Sequence, residues 1–454
     1  MADRSRSGQV ALTGWGRTAP TPATVTTAAS ADEVRALLGE AGPRGLLARG
    51  LARSYGDAAQ NAGGHVLDTT ALDGVLDVDL GAAVVEVEAG VSLDRLMTLL
   101  VPLGLFVPVT AGTRYVTVGG AIAADIHGKD HHRTGSFSRH VEWLDLLTAD
   151  GEVRRIGPDR DPELFWATAG GMGLTGVVLR AAVRMRRIET AQLLVDTDRT
   201  PDLDALLELL TATDHLYDYS VAWIDCVARG ARLGRSVLTR GRFAHRDELP
   251  ARHRADPLRY SGSVRLTAPD LFPSGLLNPV TVAAFNEVWY RKAPARRRAQ
   301  LQSIPTFFHP LDGVGSWNRV YGRRGFVQYQ FVVPLGQEET LRCVVERIAT
   351  SGTASFLAVL KRFGAGDPGY LSFPQEGWTL ALDIPVVAGL AELLDGLDEL
   401  VVAAGGRIYL AKDARVRPDL LPRMYPRLDR FRAVRARVDP GGVFTSDLAR
   451  RLCL

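Results

Sequence analysis

The chain has 454 residues, 46% of them hydrophobic and 23% charged, the balance of a soluble globular protein with about two to three domains of roughly 150 residues each. A formal net charge of +3 calls for no nucleic-acid partner, and the one dense basic run, 291–298 (RKAPARRR), reads first as a solvated face and second as a surface for anionic lipid. Three scattered cysteines, Cys226, Cys343 and Cys453, exclude a disulfide framework, and the first 16 residues lack the apolar stretch of a secretion signal or a membrane span.

In chain order, the first third alternates short strands, helices and glycine-rich loops. ATVTTAA (23–29) is rich in β-branched residues and predicts a strand. Ser30 and Glu33 have the spacing of a capping box and predict a helix through Leu37 and Leu38. GLLARG (45–50) predicts a strand that runs into the loop GLARSYGDAAQNAGG. AAVVEVEAG (82–90) alternates like a half-buried strand, and Ser92 caps the helix that follows. LFVP extends again, and VEWLDLLTAD (141–150) predicts a strand ending in an Asp150-Gly151 turn, within an α+β unit that closes near residue 190.

The final third reads as a strand (326–334), a helix (337–352) with Leu341, Val344, Val345 and Ile348 on one face, two strands (355–363 and 378–386), a helix (390–406) and a last strand, RIYLAKD (407–413). This β-α-β-β-α-β order is that of a split βαβ unit with an antiparallel sheet. Between 191 and 325 lie further strands and a long polar, proline-bearing stretch, 246–280, of a length that usually belongs to a lid or mobile segment. No internal repeat stands out.

Three glycine-rich stretches carry the first functional signals. GGMGLTG (170–176) contains G-x-G-x-x-G, but a predicted helix precedes it and a predicted strand follows, the reverse of a dinucleotide-binding fingerprint. ARGLARSYGD (48–57) and AGTRYVTVGGAIAADIHG (111–128) are better candidates. Successive main-chain N–H groups in tight loops bind anions, and small residues let a diphosphate approach the backbone. The stretch AADIHGKDHH (123–132) invites a metal reading with its three histidines and two aspartates. No metal is expected, because adjacent His131 and His132 would point to opposite faces of a strand and no Cys or Glu cluster accompanies them. Gln328 and Gln330 share one face of the 326–334 strand. With Lys361, Ala381 and Lys412 on neighbouring strands, they make a polar sheet face turned toward something anionic or oxidisable.

The stretches ARGLARSYGD, GTRYVTVGGAIAADIHGKDHH and ELFWATAGGMGLTG resemble the flavin-binding domain of the vanillyl-alcohol-oxidase-type (PCMH-type) FAD enzymes. VDPGGVFTSDLARRL (438–452) resembles the returning tail of their aldonolactone and polyol oxidase branch. The islands WYRK, HPLD, WNRVYG, QYQFVVP, LSFP and YLAKDAR extend the likeness over nearly the whole chain, toward members that oxidise the ribose 2′-hydroxyl of a lipid-linked sugar phosphate. That oxidation is the first half of an epimerisation that makes the arabinose donor of cell-wall arabinan.

The resemblance implies an α+β fold with a two-subdomain PCMH-type FAD-binding domain at 1–190. A substrate domain at 191–406, an antiparallel sheet covered by helices, would follow, and 407–454 would return to the first domain. Ala48, Arg49, Gly50, Leu51, Ala52, Arg53, Ser54, Tyr55, Gly56, Asp57 and Ala58 would cradle the FAD diphosphate. Gly112, Thr117, Val118, Gly119, Gly120, Ala124, Asp125, Ile126, His127, Val178, Tyr409 and Lys412 would line the cofactor. Many relatives attach FAD through a histidine where this chain has Arg53, so the implication is non-covalent FAD.

Lys412 and His127 are the candidate bases. Gln328, Gln330 and Lys361 would orient the ribose and its phosphate, with Trp223 as an apolar wall. Ala381 stands where close relatives carry a cysteine beside the flavin; Thr379 and Phe308 replace an asparagine and a tyrosine. A short-chain NAD(P)H-dependent reductase is the implied partner. The implied location is the cell envelope, with peripheral attachment to the plasma membrane through 246–280 or 291–298. The alternative is a soluble aldonolactone or polyol oxidase of the same family.

Overall fold

The computed structural model describes residues 8–264 and 266–454. Its first sheet orders the strands Gly8–Leu12, Thr21–Thr27, His65–Asp68 and Leu46–Arg49, with both contacts of His65–Asp68 parallel. The second is antiparallel and orders Val75–Asp79, Val84–Glu88, Val177–Arg184, Val141–Leu147 and Val153–Ile156. Helix Ala31–Glu40 begins where the sequence predicts, with the Ser30 hydroxyl accepting the Glu33 N–H. The box is shifted by one residue: the Glu33 carboxylate accepts the N–H of Ala29 rather than that of Ser30. Ser92 caps Leu93–Leu100 in the same manner.

The third sheet has eight strands, in the order Arg296–Ser303, Gln192–Thr200, Ser236–Phe243, Tyr219–Ile224, Ala358–Phe363, Gly377–Pro385, Phe326–Pro334 and Arg407–Ile408. Its second half is the predicted split βαβ unit, covered by helices Glu338–Ser351 and Leu390–Ala403. Its first half repeats that topology with helices Leu203–Thr213 and Pro279–Lys292. The halves join side by side where Ala222 faces Leu360 and Trp223 faces Val359. Sequence reading found no repeat because a long insertion separates Ser236–Phe243 from its helix. The closing strand, RRRAQLQS, is moreover a charged edge strand without an apolar run.

Two local expectations are corrected. RIYLAKD is a strand only at Arg407–Ile408; the chain then turns, with the Lys412 N–H donating to the Tyr409 carbonyl at 3.0 Å. Lys412 therefore projects from a turn at the end of the sheet rather than from a strand. His131 and His132 lie in the short helix His131–Thr134, not on a strand. The 246–280 stretch, expected as a lid or mobile segment, meets its neighbours at 262–270: the Gly262 carbonyl accepts from Arg114 at 2.8 Å, the Ala268 N–H donates to Gly315 at 2.8 Å, and Asp270 pairs with Arg17 at 2.8 Å.

The C-terminal tail packs back on the first sheet. The Leu46 N–H donates to the Val443 carbonyl at 2.8 Å, and Arg451 bridges Asp57 and Asp413 at 2.8 Å each. One guanidinium thus ties the loop after Leu46–Arg49 to the turn that carries Lys412.

Candidate functional site

The first two sheets and one face of the third enclose a cavity of about 940 Å³, near the upper end of the ~300–1,000 Å³ range of small-molecule sites. Both candidate glycine loops line one side of it. The loop at 50–58 is held from behind, with Ser54 accepting from the Trp15 N–H at 2.8 Å and the Tyr55 N–H donating to Ala411 at 3.0 Å. The N–H groups of Gly50, Leu51, Ala52, Arg53 and Ser54 find no partner among the described residues. Five main-chain donors in succession, with Ala52 at φ 54°, form the nest that a diphosphate requires.

The second loop contributes closeness rather than donors. Val118 and Gly119 give their N–H groups to Val91 and Ala89, and Gly120 gives its own to the Thr117 hydroxyl. A Cβ on Gly50 would fall 2.3 Å from Thr117 Oγ1, so the loops meet only because residue 50 is glycine. A Cβ on Gly112 would meet nothing within 4 Å, since that residue faces the open cavity. These features fit FAD, whose diphosphate the 50–54 nest would hold.

Of the predicted cofactor residues, Ala48, Arg49, Gly50, Leu51, Ala52, Arg53, Ser54, Tyr55 and Ala58 line the cavity, as do Gly112, Thr117, Gly119, Gly120, Ala124, Ile126, His127, Val178, Tyr409 and Lys412. Gly56, Asp57, Val118 and Asp125 lie behind it. Gly56 packs on the Asp413 carbonyl, Asp57 is held by Arg451, and Val118 is in the core. Asp125 accepts the Ser372 hydroxyl and the Ser138 N–H, and burial pushes its carboxyl up to about 6. At Arg53, which the resemblance sets in place of an attaching histidine, the guanidinium stacks 3.9 Å from the Trp15 ring.

The opposite wall is the predicted polar sheet face. Registers place Val237, Trp223, Val359, Ala381 and Gln330 in one cross-strand row, with Lys361 and Gln328 two residues along their strands, and all line the cavity. Gln330 is locked, its amide nitrogen 2.9 Å from His127 Nε2 and 3.3 Å from Thr379 Oγ1. Gln328 donates to the buried Asp383, whose second carboxylate oxygen has no partner among the described residues. Phe308 forms part of the wall, packed 4.8 Å from the Tyr219 ring. His131 and His132 point elsewhere, to Asp367 and to the Tyr217 carbonyl at 3.1 Å each.

The electrostatics of this wall are unusual. Lys412 stands 3.8 Å over the Tyr55 ring, and desolvation lowers its pKa to about 7 against the opposing pull of Asp383. Desolvation raises Asp383 to about 7. His127 is pushed well below the usual imidazole range, first by burial and then by Lys361, so its ring is neutral. Lys129 and Lys361 are lowered to about 7 and about 8, again by burial first. Sequence reading missed Asp383 and Lys129. The alternation that grouped Gln328 with Gln330 would have placed Asp383 on the face of Ala381; Lys129 was overshadowed by the histidines around it.

A family model described as FAD binding domain matches residues 22–157, and one described as D-arabinono-1,4-lactone oxidase matches residues 326–452. The chain is 49% identical, over 98% of its length and 97% of the relative's, to decaprenylphosphoryl-beta-D-ribose oxidase of Mycolicibacterium smegmatis. It is 26% identical to alditol oxidase of a Streptomyces species, over 89% of this chain and 93% of that one. It is 25% identical to L-gulono-1,4-lactone dehydrogenase of Mycobacterium tuberculosis, over 95% of this chain and 96% of that one. With the glycine loops on one side of the cavity and the amides and half-buried lysines on the other, these likenesses agree, and the chain belongs to the family of FAD-dependent oxidoreductases that includes decaprenylphosphoryl-beta-D-ribose oxidase.

Proposed function

We propose that this chain oxidises the ribose 2′-hydroxyl of decaprenylphosphoryl-β-D-ribose, or a close prenyl homologue, to the 2′-keto sugar. The observation that carries this reading is the arrangement of one cavity: a flavin cradle on one wall, amides and lysines on the other, and an apolar mouth. Phe285, Trp289 and Val314 belong to that mouth. Leu266, Leu271, Val280 and Val288, on the 246–280 stretch and the helix that follows it, are 72%, 86%, 79% and 67% exposed. Such a concentration of exposed apolar side chains suits a lipid tail and its bilayer rather than water. Among the described residues no helix is long and apolar enough to cross a membrane, and the attachment we infer from these exposed side chains is peripheral. In the basic run, Arg291 pairs with Glu287 and Arg298 with Asp198, which leaves Lys292, Arg296 and Arg297 for anionic headgroups among the described residues.

FAD, which the 50–54 nest would hold and which Arg53 in place of an attaching histidine would leave non-covalent, would supply a hydride acceptor for the carbon being oxidised. Lys412 takes the hydroxyl proton at Nζ, as a neutral amine made available near pH 7 by its desolvation. Asp383 supports the ammonium that forms and, through Gln328, fixes the amide beside it. Gln330, held by His127 and Thr379, orients the sugar, while Val359 and Ala381 exclude water, and Trp223 continues this apolar row away from Gln330. Neutral His127 serves to hold Gln330 rather than to take the proton. The keto sugar then requires a reductive step, which a short-chain NAD(P)H-dependent reductase in the cell envelope would perform to give the arabino epimer. The domain limits 1–190, 191–406 and 407–454 complete this reading.

Trapping the product tests it. Turnover of a short-chain prenylphosphoryl ribose followed by borodeuteride should place deuterium at C2 and give both ribo and arabino products. Deuterium at another carbon, or turnover confined to free polyols and lactones, would support the soluble oxidase instead.

A further inference from the structure

We propose that Lys129 and Lys361 form an anion subsite in the cavity wall that takes the phosphate diester linking a sugar to a prenyl chain. The proposal deepens the lipid-sugar reading and rests on it for the identity of the ligand. Both lysines are half-buried and line the cavity. Lys129 Nζ donates to the Phe307 carbonyl and lies 4.4 Å from the Phe307 ring centroid. Lys361 Nζ reaches the Gly128 carbonyl at 3.5 Å, which brings it to the residue beside Lys129. Neutral carbonyls and a ring are their direct partners, and neither ammonium group is in a salt bridge among the described residues.

Two like charges drawn out of water cost free energy unless an anion joins them. Burial lowers Lys129 first, and the Lys361 charge adds to that lowering. Asp130 is the carboxyl whose charge supports Lys361, yet it does not line the cavity. Burial pushes Asp130 up to about 7, so it is no fixed counter-ion.

Placement along the cavity gives the chemical class of the ligand. On one side of the pair stands His127 with Gln330, where the proposed oxidation occurs. On the other, Ser220 donates its N–H to the Lys129 carbonyl at 2.9 Å and begins a floor that continues through Val221 and Trp223. Trp223 Nε1 donates to the Phe356 carbonyl at 3.1 Å, and Phe356 packs 5.7 Å from Phe285 at the mouth. A reacting wall, then two cations, then an apolar run is complementary to sugar, phosphate and prenyl chain in that order.

The test is calorimetric titration of the FAD-loaded enzyme with geranyl phosphate, geraniol and inorganic phosphate, with retained FAD per chain as the check on folding. Wild type should bind geranyl phosphate at least about 10-fold more tightly than either geraniol or inorganic phosphate. Lys129→Met and Lys361→Met should each remove at least about 10-fold of that affinity without changing geraniol binding, and Lys129→Arg should retain it. Equal affinity for geraniol and geranyl phosphate, or Lys129→Met and Lys361→Met variants that bind geranyl phosphate like wild type, would overturn the subsite. Inorganic phosphate binding as tightly as geranyl phosphate would make it a free-phosphate site and overturn the lipid-linked assignment. Because the titration needs no turnover, lysine-dependent binding by an enzyme that does not oxidise prenylphosphoryl ribose would refute the 2′-oxidase reading and leave the subsite standing.

Discussion

Lys412→Ala is expected to lower turnover by about 10²–10⁴-fold while FAD stays bound, the range for removal of a general base. The cradle explains why the cofactor survives: its free N–H groups belong to Gly50 through Ser54, and none depends on the lysine side chain. Lys412→Arg should not rescue, because a guanidinium holds its proton throughout the working range. The pH dependence has a definite sign. Lys412 is lowered from 10.5 to about 7, so the neutral amine is scarce below pH 7 and dominant above it. Wild-type kcat, read at saturating substrate so that loss of charge on Lys129 and Lys361 does not enter through binding, should therefore rise through about pH 7 to a plateau. Near-normal turnover of Lys412→Ala, or a flat profile between pH 6 and 8, would remove Lys412 from its assigned role.

Gly56→Ala should cost about 1–3 kcal/mol or more of stability and most of the bound FAD, from a single added methyl. Its Cβ would lie 1.9 Å from the Asp413 carbonyl oxygen and 2.8 Å from the Ala414 Cα, backbone atoms that cannot rotate away. Relief requires moving the 50–58 loop off the 411–414 turn, which breaks the bond from the Tyr55 N–H to Ala411 and displaces Lys412 together with the cradle. Gly112→Ala is the contrast: its Cβ meets nothing, so the fold should be unchanged. Denaturant midpoints and FAD per chain measure both variants. A Gly56→Ala protein with wild-type midpoint and full FAD would show that loop and turn are not coupled as described.

The parts legible in the sequence are those set by local chemistry. Ser30 and Ser92 announce helices because a hydroxyl can satisfy an N–H of the first turn, and the 326–334 and 377–385 strands follow from alternation and β-branching. The 50–54 nest was visible as small residues after a strand, although only the structure shows that its N–H groups are free and that those of 118–120 are used. The rest depends on tertiary docking. RIYLAKD stops being a strand after Ile408 because Ala411 must meet Tyr55, which no window around 407–413 reveals. The topological repeat is hidden by its insertion and by a charged edge strand. Asp383 and Lys129 were readable as residue types, but what sets them apart is desolvation, and that is a property of their neighbours.

The most direct measurement of the central claim is the visible spectrum of the purified protein, followed anaerobically during addition of a short-chain prenylphosphoryl ribose. Bleaching of a yellow chromophore that is released by acid, at one equivalent of sugar per flavin, is the predicted result. A yellow protein that this compound leaves oxidised while free polyols or sugar lactones bleach it would contradict the proposed substrate.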